Sequence, residues 1–389
     1  MNKRIFAATA TFIIFLSPLF ASAAGPKFIY AGWLPFWKKQ SGALDIALNL
    51  GKLNEISPFS YEVNPDGTLR DVLKINDGFW PGWLAAARDL NVKILPTVAL
   101  FDGKAIHKLF SNKKLRIAHE DAIAKLVKDK NFDGIDIDYE GKLAETKPYF
   151  SLFVEGLALR LHPKKKLLSC TIEARTPLTS RLGGVPKDTR TANDYIVLNK
   201  YCDEVRIMAY DQGLIDGLLD RKKGNGTLYA PVADPDWAEK TVREALKYIN
   251  PKKIMLGIPT YGYEYQVSWR DGFLEYERLR SHTFFQAMNR AEAVGAAPAR
   301  NSAGEMSFAY TTSTFVNDVS SGLTWFVSST LPASIAFSNT STSVARFVSF
   351  SDAESAAQKI ALAKKLGLRG VVFFKFDGEQ DPLLWGKMK

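Results

Sequence analysis

Along this chain, short runs of apolar residues alternate with longer stretches whose apolar positions recur at helical spacing. The runs rich in β-branched and aromatic residues predict strands near Phe28–Leu34, Ile56–Val63, Lys93–Leu100, Gly134–Glu140, Leu167–Ala174, Glu204–Tyr210, Lys253–Tyr261 and Gly370–Phe376. Amphipathic stretches such as Ala105–Lys128, Pro148–Leu161 and Trp237–Ile249 lie between them. Strands separated by regular helical crossovers predict an α/β fold whose parallel sheet closes into a (β/α)8 TIM barrel. The alternative is an open doubly wound sheet, but the glycine turn that binds phosphate in such sheets is missing.

One interval is too long for a simple crossover. Between the seventh and eighth strands lie a helix-like segment, Thr283–Val294, and a Ser/Thr-rich stretch, Thr311–Ser351. Phe315, Trp325, Phe326 and Phe337 give this stretch something to bury, which predicts an inserted α+β lobe at about 270–350 rather than a linker. A helix is expected from Ser351-Asp352, either of which can cap it, to Leu366, with Gly367 ending it.

The first residues read differently from the rest. Lys3 and Arg4 precede an apolar run, Ile5–Phe20, and the small residues Ala21-Ser22-Ala23, the order of a secretory signal peptide over 1–23. Its removal would leave a mature chain of 24–389 with 49 basic and 41 acidic residues, a net +8. That places the protein outside the cytoplasm (extracellular, periplasmic or cell-wall associated), with no membrane span after cleavage. The positive charge is too diffuse to single out a partner, and no nucleic acid is expected.

Cys170 and Cys202 are the only cysteines in the chain. Their apolar, strand-like settings favour two buried free thiols over a bridge. The four histidines show no metal-ligand spacing, and neither a Walker loop nor a G-x-S-x-G elbow is present, so no metal and no cofactor is expected.

The chemistry concentrates in Asp133-Gly134-Ile135-Asp136-Ile137-Asp138-Tyr139-Glu140. Side chains alternate along a strand, so Asp136, Asp138 and Glu140 share one face while Ile135, Ile137 and Tyr139 share the other. In a barrel the apolar set packs on the helices, and the carboxylates line the interior, rising toward the C-terminal rim. Asp133 falls out of phase and reads as structural. Like charges that close raise one another's pKa, as burial does, which suits Glu140 to hold a proton as a general acid. An EF-hand reading fails because its closing position falls on Lys147. A solvated acidic turn would not alternate so strictly with Ile and Tyr.

The run Asp133, Asp136, Asp138, Glu140 resembles the D-x-x-D-x-D-x-E signature of glycoside hydrolase family 18, the chitinase-like family. Ile207-Met208-Ala209-Tyr210-Asp211 is similar to that family's sixth-strand M-x-Y-D, and Gly257-Ile258-Pro259-Thr260-Tyr261-Gly262 to its seventh-strand G-x-P-x-Y-G. The ending Gly378-Glu379-Gln380-Asp381-Pro382 resembles the bacterial branch that includes spore-cortex-lytic enzymes. The resemblance implies retaining, substrate-assisted hydrolysis of β-1,4 bonds at N-acetylglucosamine units, in chitin-like or peptidoglycan glycans. It makes Glu140 the acid and Asp138 the residue that orients the substrate's acetamido group. Asp136 would share a proton with Asp138, Tyr210 would donate to the acetamido oxygen, and Asp211 and Tyr261 would shape the subsite. A polysaccharide is the implied partner, and the protein is expected to act as a monomer.

Two positions depart from that pattern. Phe374 stands on the last strand where the family usually has Trp, and Tyr263 where many members have Arg. Trp33, Trp37 and Tyr61, near the ends of the first two strands, are candidate sugar platforms or simply packed aromatics. The rivals to a hydrolase of this type are a lectin-like barrel that only binds N-acetylated glycans, and a two-carboxylate enzyme acting on other sugars.

Overall fold

The computed structural model describes residues 27–182, 188–224, 227–270, 273–311 and 344–388. Residues 1–23, expected to be a leader, and the aromatics Phe315, Trp325, Phe326 and Phe337 lie outside the described residues.

Eight parallel strands form a closed barrel: Ile29–Leu34, Glu55–Val63, Thr97–Leu100, Gly134–Tyr139, Leu167–Glu173, Glu204–Met208, Ile254–Pro259 and Gly370–Phe374. Closure is direct, because the first strand pairs with the second on one side and with the eighth on the other. The strands follow the runs predicted from the sequence, with Lys93–Ile94 forming a short separate piece ahead of the third. Outward-facing residues such as Ile56, Ile94, Ile135, Ile137, Leu168, Val205 and Leu256 are buried beneath the helices and form the main apolar core. Burying such side chains stabilises by about 1.5–3 kcal/mol each. Among the described residues no helix is long and apolar enough to cross a membrane.

The helices show where local chemistry overrides periodicity. Ala105–Lys128 reads as one amphipathic stretch, yet two helices form, Gly103–Ser111 and Lys113–Asp129. Asn112 between them is extended, and its side chain accepts from the Lys114 and Leu115 amides, capping the second helix. Of the two candidate caps before the last long helix, Asp352 does the capping, and Gly367 after it adopts φ +65°.

Among the described residues between the seventh and eighth strands, five strands form a second, antiparallel sheet accompanied by the helix Phe284–Ala293. It begins at Tyr261, directly off the seventh barrel strand, rather than near residue 270. The strand Tyr261–Arg270 therefore carries Tyr261 and Tyr263 from the barrel rim into this sheet.

The two cysteines form a disulfide, contrary to the expectation of free thiols. Cys170 lies on the fifth strand and Cys202 just before the sixth, with their Cα atoms 6.2 Å apart. Parallel pairing of these strands brings the two together, a relation that apolar context in the sequence does not reveal. Closing a loop over a separation of 32 residues stabilises by roughly 3–4 kcal/mol in a chain-entropy treatment.

At the N-terminal end of the barrel, Arg206 is fully buried with Glu55 and Glu204. It donates to Ser57 Oγ at 2.6 Å and to Glu204 Oε2 at 3.1 Å, and lies 3.7 Å from Asp136 Oδ2. Burial and the neighbouring Glu204 push Glu55 up to about 8, so Glu55 keeps its proton while Glu204 faces Arg206 and Arg369 as a carboxylate. Arg206→Met should therefore cost about 3–5 kcal/mol in urea unfolding, since it strips a buried carboxylate of its partner. A loss below 1 kcal/mol would mean that Arg369 alone suffices.

Candidate active site

The fourth strand presents its residues to two environments. Ile135, Ile137 and Tyr139 pack into the helix-side core, where the Tyr139 hydroxyl meets His119 Nε2 at 2.6 Å. Asp133, at the strand entrance, accepts from the Ile94 amide at 2.8 Å and so ties the short piece Lys93–Ile94 to the fourth strand.

Asp136 lies deepest in the interior, with no exposure. Its Oδ2 accepts from Trp33 Nε1 at 2.9 Å and from Thr97 Oγ1 at 3.0 Å. Its Oδ1 accepts from Ser169 Oγ at 2.7 Å and Thr171 Oγ1 at 2.8 Å. Four donors from the first, third and fifth strands thus surround one carboxylate, with Arg206 beneath it. Among the described residues no hydrogen bond joins Asp136 to Asp138.

Two positions nearer the rim, the pattern reverses. Asp138 is 2% exposed, and its Oδ1 is buried with no partner. Burial, then the charges of Glu140 and Asp136, hold its carboxyl well above the ordinary range, with Lys142 opposing. Glu140, at the end of the strand, is pushed up to about 7, first by burial and then by Glu173 and Asp211, again against Lys142. A carboxyl poised there keeps its proton near neutral pH and can give it to a leaving oxygen.

The turn after Glu140 is held by groups on the fifth strand. Gly141 takes φ +67°, a region that favours glycine, and its amide donates to Glu173 Oε1 at 2.9 Å. Glu173 Oε2 accepts from Asn193 Nδ2 at 2.9 Å and pairs with Lys142 at 3.4 Å. Lys142 also bonds the Tyr139 carbonyl. A Cβ on Gly103 would sit 2.1 Å from the Gly141 carbonyl, so a bare α-carbon is needed there.

Above the acids opens a cavity of about 400 Å³, lined by Asp138, Glu140, Tyr210, Asp211 and a set of aromatic residues. Phe374 faces this mouth, stacked on Tyr210 with centroids 5.5 Å apart and edge-on to Trp33 and Phe59. The Tyr210 hydroxyl makes no hydrogen bond among the described residues, and burial and the acids hold it in the protonated form. Trp33 is not an open platform. It is 1% exposed, and its indole N–H is committed to Asp136. Tyr61 likewise is 4% exposed and forms wall rather than shelf. The exposed aromatics at this rim are Trp37 and Phe101.

Asp211 adopts φ +60°, strained for a residue other than glycine. It does not cap the helix that follows, which Asp216 caps. Its Oδ1 instead accepts from both Tyr261 and Tyr263. Tyr261 thus acts on the cavity through Asp211, and Tyr263, which departs from the usual Arg, shares the same oxygen.

Sequence reasoning missed Glu173, Lys142 and Phe101. Glu173 ends an ordinary apolar strand, and only the pairing of that strand with the fourth places it beside the turn after Glu140. Lys142 lies two residues past the signature, where a basic residue carries no pattern. Among the described residues no cluster of His, Cys, Asp and Glu could hold a metal ion.

A profile described as Glycosyl hydrolases family 18 matches residues 84–379. A Bacillus subtilis protein described as an uncharacterized glycosylase, YvbX, is 28% identical over 172 residues, covering 44% of this chain and 45% of that protein. A probable chitinase 2 of Drosophila melanogaster is 30% identical over 174 residues, covering 43% of this chain and 33% of that protein. The chain thus spans about half or less of the length of these curated relatives. Among solved structures, the spore cortex-lytic enzyme SleL of Bacillus megaterium superposes with a TM-score of 0.67 at 20% identity, over 93% of this chain and 73% of that one. A chitinase from Chromobacterium violaceum gives 0.68 at 18% identity, over 93% and 98%. At those identities the superpositions establish the fold.

The raised Glu140 carboxyl has a consequence for stability. Its folded-state pKa of about 7 exceeds the ordinary 4.5, so the folded protein binds this proton more tightly than the unfolded chain. The contribution is fully present below pH 4.5 and is lost as pH rises through 7. Relative to Glu140→Gln, the protein should lose on the order of 2 kcal/mol between pH 4.5 and 8 in urea unfolding. Parallel curves for the two proteins would mean that Glu140 titrates at its ordinary value.

Proposed function

The chain belongs to glycosyl hydrolase family 18, and on that premise we propose that it is a secreted glycoside hydrolase. Its substrate is a glycan containing N-acetylglucosamine, cut at β-1,4 bonds with retention of configuration. The observation that carries this reading is Glu140, a carboxyl raised to about 7, standing over the unpartnered Asp138 on the floor of an aromatic-walled cavity.

In the proposed reaction Glu140 protonates the leaving oxygen. The substrate's own acetamido oxygen then attacks the anomeric carbon, and the positive charge that develops on the ring system falls beside Asp138. Asp138, bare on Oδ1, accepts the acetamido N–H, and Tyr210 donates to the acetamido oxygen. Glu140, now a carboxylate, takes a proton from water as water opens the intermediate. A direct nucleophile is less suited to this site. Asp211 lines the same cavity, and its Oδ1 already accepts two phenol hydroxyls, which draw off the charge a nucleophile needs.

The presence of Glu140 favours an enzyme over a lectin-like barrel, because binding alone gives no use for an acid raised by burial. The Cys170–Cys202 bridge favours an oxidising compartment and so supports secretion. The monomer remains the simplest working form.

Glu140→Gln should fold normally and lower kcat on chito-oligosaccharides by about 10³-fold or more, since an amide supplies no proton. An oligosaccharide lacking the N-acetyl group at the cleaved sugar should also turn over very slowly, and NMR of early products should show the β-anomer. Inversion, or a glycosyl ester trapped on Asp211, would overturn the substrate-assisted step.

A further inference from the structure

A second cavity, of about 460 Å³, adjoins the catalytic one along Glu173 and Ala174. Four cationic and three acidic residues line it: Lys142, Arg175, Arg181 and Arg190, with Glu173, Asp188 and Glu244. Most of these charges are already spent. Lys142 pairs with Glu173 at 3.4 Å, Arg190 with Asp188 at 2.6 Å, and Glu244 with Lys247 at 2.6 Å.

Arg175 and Arg181 are left without an acidic partner among the described residues. Arg175 lies over the Tyr195 ring at 4.6 Å and reaches only the Asn193 carbonyl, at 3.4 Å. Arg181 is half-buried, and its Nε is buried with no acceptor among the described residues. Asn193, which lines the same cavity, has a buried Oδ1 with no donor. Folded proteins rarely leave buried polar atoms unmatched, and two guanidinium groups without an acidic partner are suited to grip carboxylates. A neutral chain of N-acetylglucosamine offers hydroxyl and amide acceptors but no anion to match two guanidinium charges.

We propose that this cavity binds a carboxylate-bearing substituent of the glycan held in the catalytic cavity, with Arg175 and Arg181 as its anion-binding groups. The substrate is then an anionic N-acetylated glycan, whose sugars carry a lactyl ether or a short peptide linked through it. Such a substituent brings both a carboxylate for the arginines and an amide N–H for Asn193. The proposal rests on the hydrolase reading for the position of the glycan backbone, but its test need not depend on turnover.

Binding is measured by calorimetry in the full chain carrying Glu140→Gln, so that no substrate is consumed. The probes are an N-acetylglucosamine tetramer and a tetrasaccharide of the same length whose alternate sugars carry peptide-substituted lactyl groups. The charged tetrasaccharide should bind about 10-fold or more tightly than the neutral one, and more weakly as salt rises. Adding Arg175→Gln and Arg181→Gln should remove that advantage while changing the neutral tetramer's affinity less than about twofold. Arg175→Lys with Arg181→Lys, which keeps the charge, should restore part of it and guards against a folding defect. Equal affinity for both probes, or equal losses on both, would overturn the proposal. Turnover by the unsubstituted enzyme is read separately: failure to cut either sugar defeats the hydrolase reading, and the binding comparison still decides this one.

Discussion

Three carboxyl groups at successive inward positions of one strand cannot all be buried as bare charges, and the barrel resolves this differently at each depth. Asp136, at the bottom, is surrounded by Trp33, Thr97, Ser169 and Thr171, each donating to it, with Arg206 below. Asp138 receives no such shell, and Glu140 above it receives none either, so burial raises both. The gradient from a fully bonded carboxylate to a proton-holding acid runs along a single strand. It requires closure of the barrel, because the donors to Asp136 come from three other strands and meet only when the sheet closes.

The rim completes what the strand begins. Glu173 fixes the turn after Glu140 through the Gly141 amide, and its charge helps to hold the proton on Glu140. Lys142 opposes that effect, so the acid sits near neutrality rather than higher. Phe374 and Tyr210 stack to wall the cavity, and Tyr261 and Tyr263 hold Asp211 from the adjoining sheet. Exposed Trp37 and Phe101 leave apolar faces at the cavity mouth, where sugar rings can pack.

Much of this was legible in the sequence, because strand alternation is a local property. The eight strands, the inward placement of Asp136, Asp138 and Glu140, and the structural position of Asp133 all follow from period-two patterning in a few residues each. What escaped the sequence depends on neighbours across the sheet. Trp33 was a candidate sugar platform, and pairing of strands turned it into a donor to Asp136. Cys170 lies on the fifth strand and Cys202 just ahead of the sixth, and the pairing of those strands brings the two within bonding reach. Glu173 carries no motif of its own and gains its role from lying beside the turn after Glu140. The amphipathic stretch Ala105–Lys128 divides into two helices at Asn112 because a side-chain cap outweighs continued periodicity.

The central claim is that burial and Glu173 hold a proton on Glu140 until about neutral pH, and that this proton is the one delivered in catalysis. The most direct measurement is the pH dependence of kcat/KM on a short N-acetylated chito-oligosaccharide, for the unsubstituted protein and for Glu173→Gln. The account predicts that activity falls on the alkaline side with a midpoint near 7, as Glu140 loses its proton. Removing the Glu173 charge should move that midpoint to lower pH. An alkaline limb that stays in place in Glu173→Gln, or activity undiminished well above neutrality, would contradict it.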